Sequence, residues 1–591
     1  MRHSRVLAAC GAAALVATAL AGPAGAGSSS AKVVHTGKQD SYLVLTKAPA
    51  DAQAVATKLR AQGTTVTSVN DEVGLVVASS DDANFRDRAD GISGVQSVAA
   101  ERVIGSTPTT TPAKRVDAVE QEGLRAARAG TKVSTRAPAT KPGAAARAAK
   151  PDPLDNNLWG MRMIKADQAH NRTLGNSKVK VGIMDTGVQA DHPDLHGNFN
   201  YRASRNFTTD IPDVDGPCEM PNSCVDKVGT DDGGHGTHVA GTVAAALNGF
   251  GLSGVAPRAD IVEVRAGQDS GYFFAGPTVN ALTYSGDAGL DVVNMSFYVD
   301  PWLYNCHGGA PGDTPEQAAD QEVIIETVQR ALNYAHRKGV TLVAAAGNGN
   351  SDMANPPADT TSPDFPPATN LPARPIDNDN CLSLPSEGSH VLGVTALGPS
   401  ERKSDFSNWT TEPRSGEVEL SAPGGWFRDG FGTPSYRANS NQILSTYPLH
   451  VLQQETVNGV PLVDANGNIT PAGESLGVMK QCQGAPAPGT SACGYYKWLQ
   501  GTSMASPHAA GVAALAVGAH GKQTRSGFGM DPDAVGRLLQ RSATDHACPA
   551  GRVQDYTDEG RDETYTARCV GSASRNGFYG EGIVNAWGAV R

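Results

Sequence analysis

From residue 178 onward the chain alternates short apolar runs with helical stretches, a pattern that restricts it to a parallel sheet covered by helices on both faces. Residues 178–184 read as a buried strand, 235–247 as a helix of small residues, and 261–265 and 291–296 as further strands. Residues 314–338 are helix-rich, 340–346 a strand, and 502–519 an Ala-rich helix. The pattern predicts a three-layer α/β fold with a mostly parallel central sheet. Such sheets place ligands beyond the carboxyl ends of their strands.

With 591 residues the chain exceeds what one hydrophobic core organises, and its N-terminal part divides further. Arg2 and Arg5 precede an apolar run over 6–21, then Gly22-Pro23 and the small residues 24–26, which is the layout of a signal peptide cut near Ala26. The run is too short for the roughly 20 apolar residues that span a bilayer. Residues 27–105 hold a small unit reading βαββαβ, a ferredoxin-like α+β pattern. Residues 106–150 collapse to Thr, Pro, Ala and Arg, with seven basic and no acidic residues between Gly123 and Pro151. This stretch is expected to be an exposed linker, either an inert spacer or a maturation region with Arg147 and Lys150 as cleavable basic sites. Residues 151–591 form the large domain.

Charge separates the parts. Residues 28–150 carry 17 Lys+Arg against 12 Asp+Glu, which leaves about −18 of the total −11 to residues 151–591. An acidic main domain excludes nucleic acid and anionic membrane as partners. Once Cys10 leaves with the signal peptide, eight cysteines remain in a chain addressed to an oxidising compartment, and four disulfides follow. Eight cysteines allow 105 connectivities. The economical one joins Cys218 to Cys224, Cys482 to Cys493, Cys548 to Cys569 and Cys306 to Cys381.

Chemistry concentrates in four segments. Asp185 follows the strand 178–184 at its carboxyl end, where a carboxylate is either functional or a turn cap. His235 opens a helix in Gly234-His235-Gly236-Thr237-His238, whose small residues allow close approach; His238 reads as a structural histidine, since the Glu of an H-E-x-x-H metal site is missing. Asn348 closes the strand and turn of Ala346-Gly347-Asn348. Ser503 begins a helix in Gly501-Thr502-Ser503-Met504-Ala505-Ser506-Pro507-His508, where N–H groups and the helix dipole favour a developing oxyanion. Pro507 is expected to be tolerated as part of the first helical turn. A lone Ser there is ordinarily an N-cap, and its catalytic reading depends on its company.

Together these four segments resemble the subtilisin-like serine proteases, in the chain order Asp, His, Ser known for subtilisin, over about residues 159–587. The resemblance implies a secreted serine endopeptidase made as a proprotein, with Ser503 as nucleophile, His235 as general base, Asp185 as its orienter, Asn348 in the oxyanion hole and Ser296 lining the substrate site. It implies a protein or peptide substrate, no cofactor for catalysis, a monomer, and the unit 27–105 as an inhibitory propeptide. Asp194 and Asn248 match positions that hold a structural calcium in many members; the alternative at each is a surface turn. Phe297-Tyr298 departs from the small residues usual after the lining serine and is expected to narrow the pocket. Insertions after Ser296, over 356–381 and over 448–495 are expected to be disulfide-pinned loops. Two rival readings are an inert relative acting as a binding protein, which would lack a triad residue, and an ester hydrolase, which would carry a G-x-S-x-G elbow.

Overall fold

All seven residues of Asp40–Thr46 (β1) are buried, so this strand is covered on both faces. With Thr65–Asn70 (β2), Leu75–Ser80 (β3) and Val95–Arg102 (β4) it forms an antiparallel sheet in the order β2-β3-β1-β4. Tyr42 and Val44 face the helices Ala52–Ala61 (α1) and Phe85–Asp90 (α2), packing with Val55, Leu59 and Phe85. Leu43 and Leu45, one residue out of phase, share a second core with Val279, Leu282 and Val328 of the large domain. This is the expected ferredoxin-like unit, and its open sheet face is closed by the remainder of the chain. The structure is a computed structural model describing residues 40–102, 119–134, 150–209, 211–215, 225–364, 373–524 and 527–591. The export segment, Arg147 and the Cys218–Cys224 pair lie outside the described residues.

Seven strands build the large sheet: Lys180–Met184 (β5), Arg205–Asn206 (β6), Asp260–Arg265 (β7), Val292–Met295 (β8), Thr341–Ala345 (β9), Val391–Leu397 (β10) and Leu420–Pro423 (β11). Every neighbouring pair is parallel, in the order β11-β10-β9-β8-β5-β7-β6. Val181, Ile183 and Val343 enter one core with the helices His235–Ala244 (α4), Thr502–His520 (α7) and Pro532–Ser542 (α8). Met184, Leu342 and Ala344 enter the other, with the helices Ala275–Asp287 (α5) and Pro315–Arg337 (α6). The α6 N-terminus is fixed by a capping box, Thr314 with Gln317, and by Pro315 in its first turn. Strand order reverses beside β5, and the carboxyl ends of β5, β8 and β9 deliver Asp185, Ser296 and Asn348 to one edge.

Three elements differ from the sequence reading. Helix α4 stops at Ala244 rather than residue 247, because Ala245 turns to ψ 136°. Pro507 lies beyond the first turn of α7, so its missing N–H deprives the Ser503 carbonyl of an intrahelical donor; the Ser296 hydroxyl donates to that carbonyl at 3.2 Å instead. The stretch expected to be an exposed linker is in part docked. Residues 119–134 carry the helix Glu122–Arg128 (Leu124 is buried in the main core), and Ser134 bridges to Ala438. Three of the four economical disulfides are present, Cys306–Cys381, Cys482–Cys493 and Cys548–Cys569. Among the described residues no helix is long and apolar enough to cross a membrane.

Candidate active site

Asp185 leaves the end of β5 into the fully buried floor of the cleft, and its Oδ1 accepts the His235 Nδ1–H at 2.7 Å and the Thr186 N–H at 2.8 Å. The His235 ring is thereby held with its Nε2 turned away from Asp185. A carboxylate missed by the sequence reading fixes the helix start: Asp231 accepts from Gly234 N at 2.8 Å, Thr237 N at 2.8 Å, Thr237 Oγ1 at 2.6 Å and Thr186 Oγ1 at 2.9 Å. It serves as the N-cap that Gly234 cannot supply, and the pair Asp231-Asp232 ahead of Gly-Gly before a helix was the available signal. His238 is buried, with Nε2 shared between the carbonyls of Ile443 and Lys497 at 3.0 and 3.2 Å; burial lowers its pKa to about 3, so it is a neutral structural ring.

Ser503 lies two residues after Gly501, whose φ of +151° is strained for any residue with a Cβ; a Cβ there would also lie close to the Glu120 carboxylate, at 3.2 Å. Asn348 Oδ1 accepts from Thr502 N and Thr502 Oγ1, both at 2.9 Å, and this leaves the amide nitrogen as the end toward the cleft. Ser503 Oγ donates to the Ser296 carbonyl at 3.4 Å, while Ser296 Oγ lies 3.0 Å from Ser506 Oγ. Phe297 stacks on Phe273 at 4.0 Å, and the Tyr298 hydroxyl donates to Asp364 at 2.6 Å.

The Nε2 of His235 lies 3.4 Å from Glu120 Oε2. Burial alone would pull the imidazole pKa down, but the carboxylates of Asp185 and Glu120 overcome it and hold His235 well above the ordinary histidine range. Both carboxylates thus favour the imidazolium form of the ring, the form that cannot take a proton. Glu120 comes from the docked segment 119–134: the Val119 and Glu120 carbonyls accept from Gln500 Nε2 and N at 3.0 and 3.3 Å. The N-terminal unit adds its own contacts, with Glu101 capping α5 through Gly276 N at 2.6 Å and Asp320 of α6 accepting from Ala100 N at 2.9 Å.

Asp194 is fully buried, and its Oδ2 accepts from Leu252 N at 3.1 Å and Tyr496 OH at 2.8 Å, its Oδ1 from Asn248 Nδ2 at 3.4 Å. Asp152 reaches the same turn through Gly249 N at 2.6 Å and Asn248 N at 3.2 Å. These hydrogen-bond partners are all neutral, so two carboxylates and an amide meet in a buried place without a cationic side chain among them. Hard oxygen donors of this kind fit calcium.

A parallel α/β sheet that gathers a buried Asp, a His paired to it and a Ser at a helix start defines the serine hydrolase class of site. The comparisons carry this to a family. The subtilase family model matches residues 176–567, and the chain belongs to that family and is a serine endopeptidase. It is 29% identical to thermitase of Thermoactinomyces vulgaris, over 50% of this chain and 79% of that protein. It is 26% identical to subtilisin DY of Bacillus licheniformis, over 60% and 83%. The fold also matches the epidermin leader peptide processing serine protease of Staphylococcus aureus, with TM-score 0.57 and 19% identity over 94% of this chain and 98% of that one.

Proposed function

We propose that this chain is a secreted, extracellular endopeptidase made as a latent proprotein, in which Ser503, His235 and Asp185 form the triad. The 2.7 Å bond between Asp185 and His235, beside the turn that carries Ser503, is the observation that supports it most. Ser503 Oγ attacks the substrate carbonyl and gives its proton to His235 Nε2; Asp185 holds the tautomer and stabilises the imidazolium. The Asn348 amide and the Ser503 N–H donate to the oxyanion, and His235 then protonates the leaving amine. Water resolves the acyl-enzyme, with His235 again as base. Ser296 holds the turn behind Ser503 and lines the substrate site. Comparing the intact mass and N-terminal sequence of the secreted product with those of Ser503→Ala tests this reading. The natural chain is expected to lose its N-terminal unit, and Ser503→Ala to remain full-length; identical trimming of both would refute self-maturation.

Asn348→Ala is expected to lower kcat by about 100 to 1,000-fold with little change in KM, as loss of the equivalent donor does in subtilisin. Steady-state kinetics on a peptide substrate check this.

Latency combines the N-terminal unit as intramolecular inhibitor with Glu120 on His235. The ion pair needs a protonated ring. Its contribution is therefore complete at pH values below the unperturbed histidine value and is lost as pH rises through the raised His235 value. Glu120→Gln removes one of the two charges that raise it, so precursor conversion is expected to begin at lower pH than in the natural chain. Gel-monitored conversion across a pH series checks this, and coincident profiles would count against the latch.

Asp194 and Asn248, with Asp152, are proposed to hold a structural calcium. Calcium is expected to raise the Tm of the Ser503→Ala chain by about 2–4 °C, a shift of roughly 2–4 kcal/mol for a domain of this size. Asp194→Asn is expected to abolish the response, read by calorimetry.

A further inference from the structure

The segment 119–134 docks against this cleft, entering a helix at Glu122, and the Glu122 side chain is gripped unusually well. Glu122 Oε1 accepts from Arg428 Nε at 2.6 Å, and its Oε2 accepts from Gln500 Nε2 at 3.0 Å and Arg561 Nη2 at 3.3 Å. The carboxylate is mostly buried, with a side-chain exposure of 12%, against 17% for Arg428 and 16% for Arg561. Each donor is itself fixed. Arg428 Nη1 donates to the carbonyls of Glu559 and Gly560 at 2.9 and 3.2 Å, Arg561 Nε donates to Asp405 at 2.5 Å, and Gln500 Oε1 accepts from Phe427 N at 2.5 Å. A guanidinium tethered in this way is preorganised for a carboxylate.

We infer that Arg428, Arg561 and Gln500 form a specificity subsite that selects an acidic side chain in the substrate, two residues along the chain from the residue that touches His235. This rests on the endopeptidase reading above, and on the path any peptide must take. Gln500 sits immediately before Gly501-Thr502-Ser503, and it holds the Val119 and Glu120 carbonyls while Glu120 reaches His235. A peptide presented to Ser503 and His235 crosses the same Gln500. When 119–134 leaves, Arg561 keeps Asp405 while Arg428 loses the carboxylate it holds in the precursor. The arginine pair is then a local cationic spot on a domain whose sequence carries about −18, so an acidic residue docks there against the general trend of the surface.

The test uses the matured enzyme, with competent sites counted by active-site titration so that misfolded variant does not enter the rates. Internally quenched peptides are varied one position at a time between Glu and Gln, and the cleaved bond is read from product masses. One position is expected to favour Glu by at least about tenfold in kcat/KM, a margin typical of a site built for a charged partner. In Arg428→Gln the Glu and Gln peptides should be cleaved within about twofold of each other, and Arg561→Gln should narrow the ratio less. Cleavage of all peptides without a Glu preference, or a preference that survives both substitutions, would overturn the inference and leave the arginines as a clamp for the precursor alone. No cleavage of any peptide would overturn the endopeptidase reading first, and this inference with it.

Discussion

Ser503→Ala, trimmed by an added protease because it does not mature itself, is expected to hydrolyse peptides about a millionfold more slowly than the matured natural enzyme, the loss that removing the nucleophile causes in subtilisin. The effect is large because no other group can replace the attacking oxygen, and what survives comes from the oxyanion hole and binding, roughly 1,000- to 10,000-fold over water. The fold should not suffer. The Ser503 hydroxyl contributes one long hydrogen bond, 3.4 Å to the Ser296 carbonyl, so calorimetry should give a Tm close to that of the natural chain. A kcat within tenfold of the natural value, with the same Tm, would mean that another residue performs the attack.

Asp185→Asn is expected to cost about 10,000-fold in kcat at neutral pH, with unchanged packing. Asp185 accepts a hydrogen bond from His235 Nδ1–H in a fully buried site, where water cannot substitute for it. An Asn of the same shape turns its NH₂ toward that nitrogen, the ring proton moves to Nε2, and Nε2 can no longer accept the Ser503 proton. The double variant Asp185→Asn with His235→Ala should be no worse than His235→Ala alone, because groups that act as one unit are not additive. Additive losses would show that Asp185 acts independently of the imidazole. The measurement is steady-state kcat on one peptide for all three variants.

The parts of this site visible in the sequence are those whose geometry is local. Asp185 can be placed because the apolar run before it fixes where β5 ends, and Ser503 because Gly501 and the Ala-rich run after it fix where α7 begins. The strand β1 was legible from its apolar run 42–45, but the cover on its second face comes from α5 and α6, more than 220 residues away, and was not. Glu120 and Glu122 were not legible. They lie in a stretch of linker-like composition with no periodicity, and their meaning comes from His235, Arg428 and Arg561, between 115 and 439 residues further on. The role of Ser296 was half legible: its position after β8 was clear, but its donation to the Ser503 carbonyl exists only because Pro507 leaves that carbonyl without a partner. Asp231 differs: four of its five donors, from Gly233, Gly234 and Thr237, are within six residues of it, and only the Thr186 hydroxyl comes from far along the chain.

The central claim is that Ser503 is the activated nucleophile, and covalent labelling tests it most directly. The matured chain is treated with a fluorophosphonate, which reacts only with an activated serine, digested, and mapped by mass spectrometry. One adduct per molecule on the peptide containing Ser503, absent in His235→Ala that an added protease has trimmed to the same length, is the predicted result. An adduct on another serine, or none in a preparation that still cleaves peptides, would contradict it.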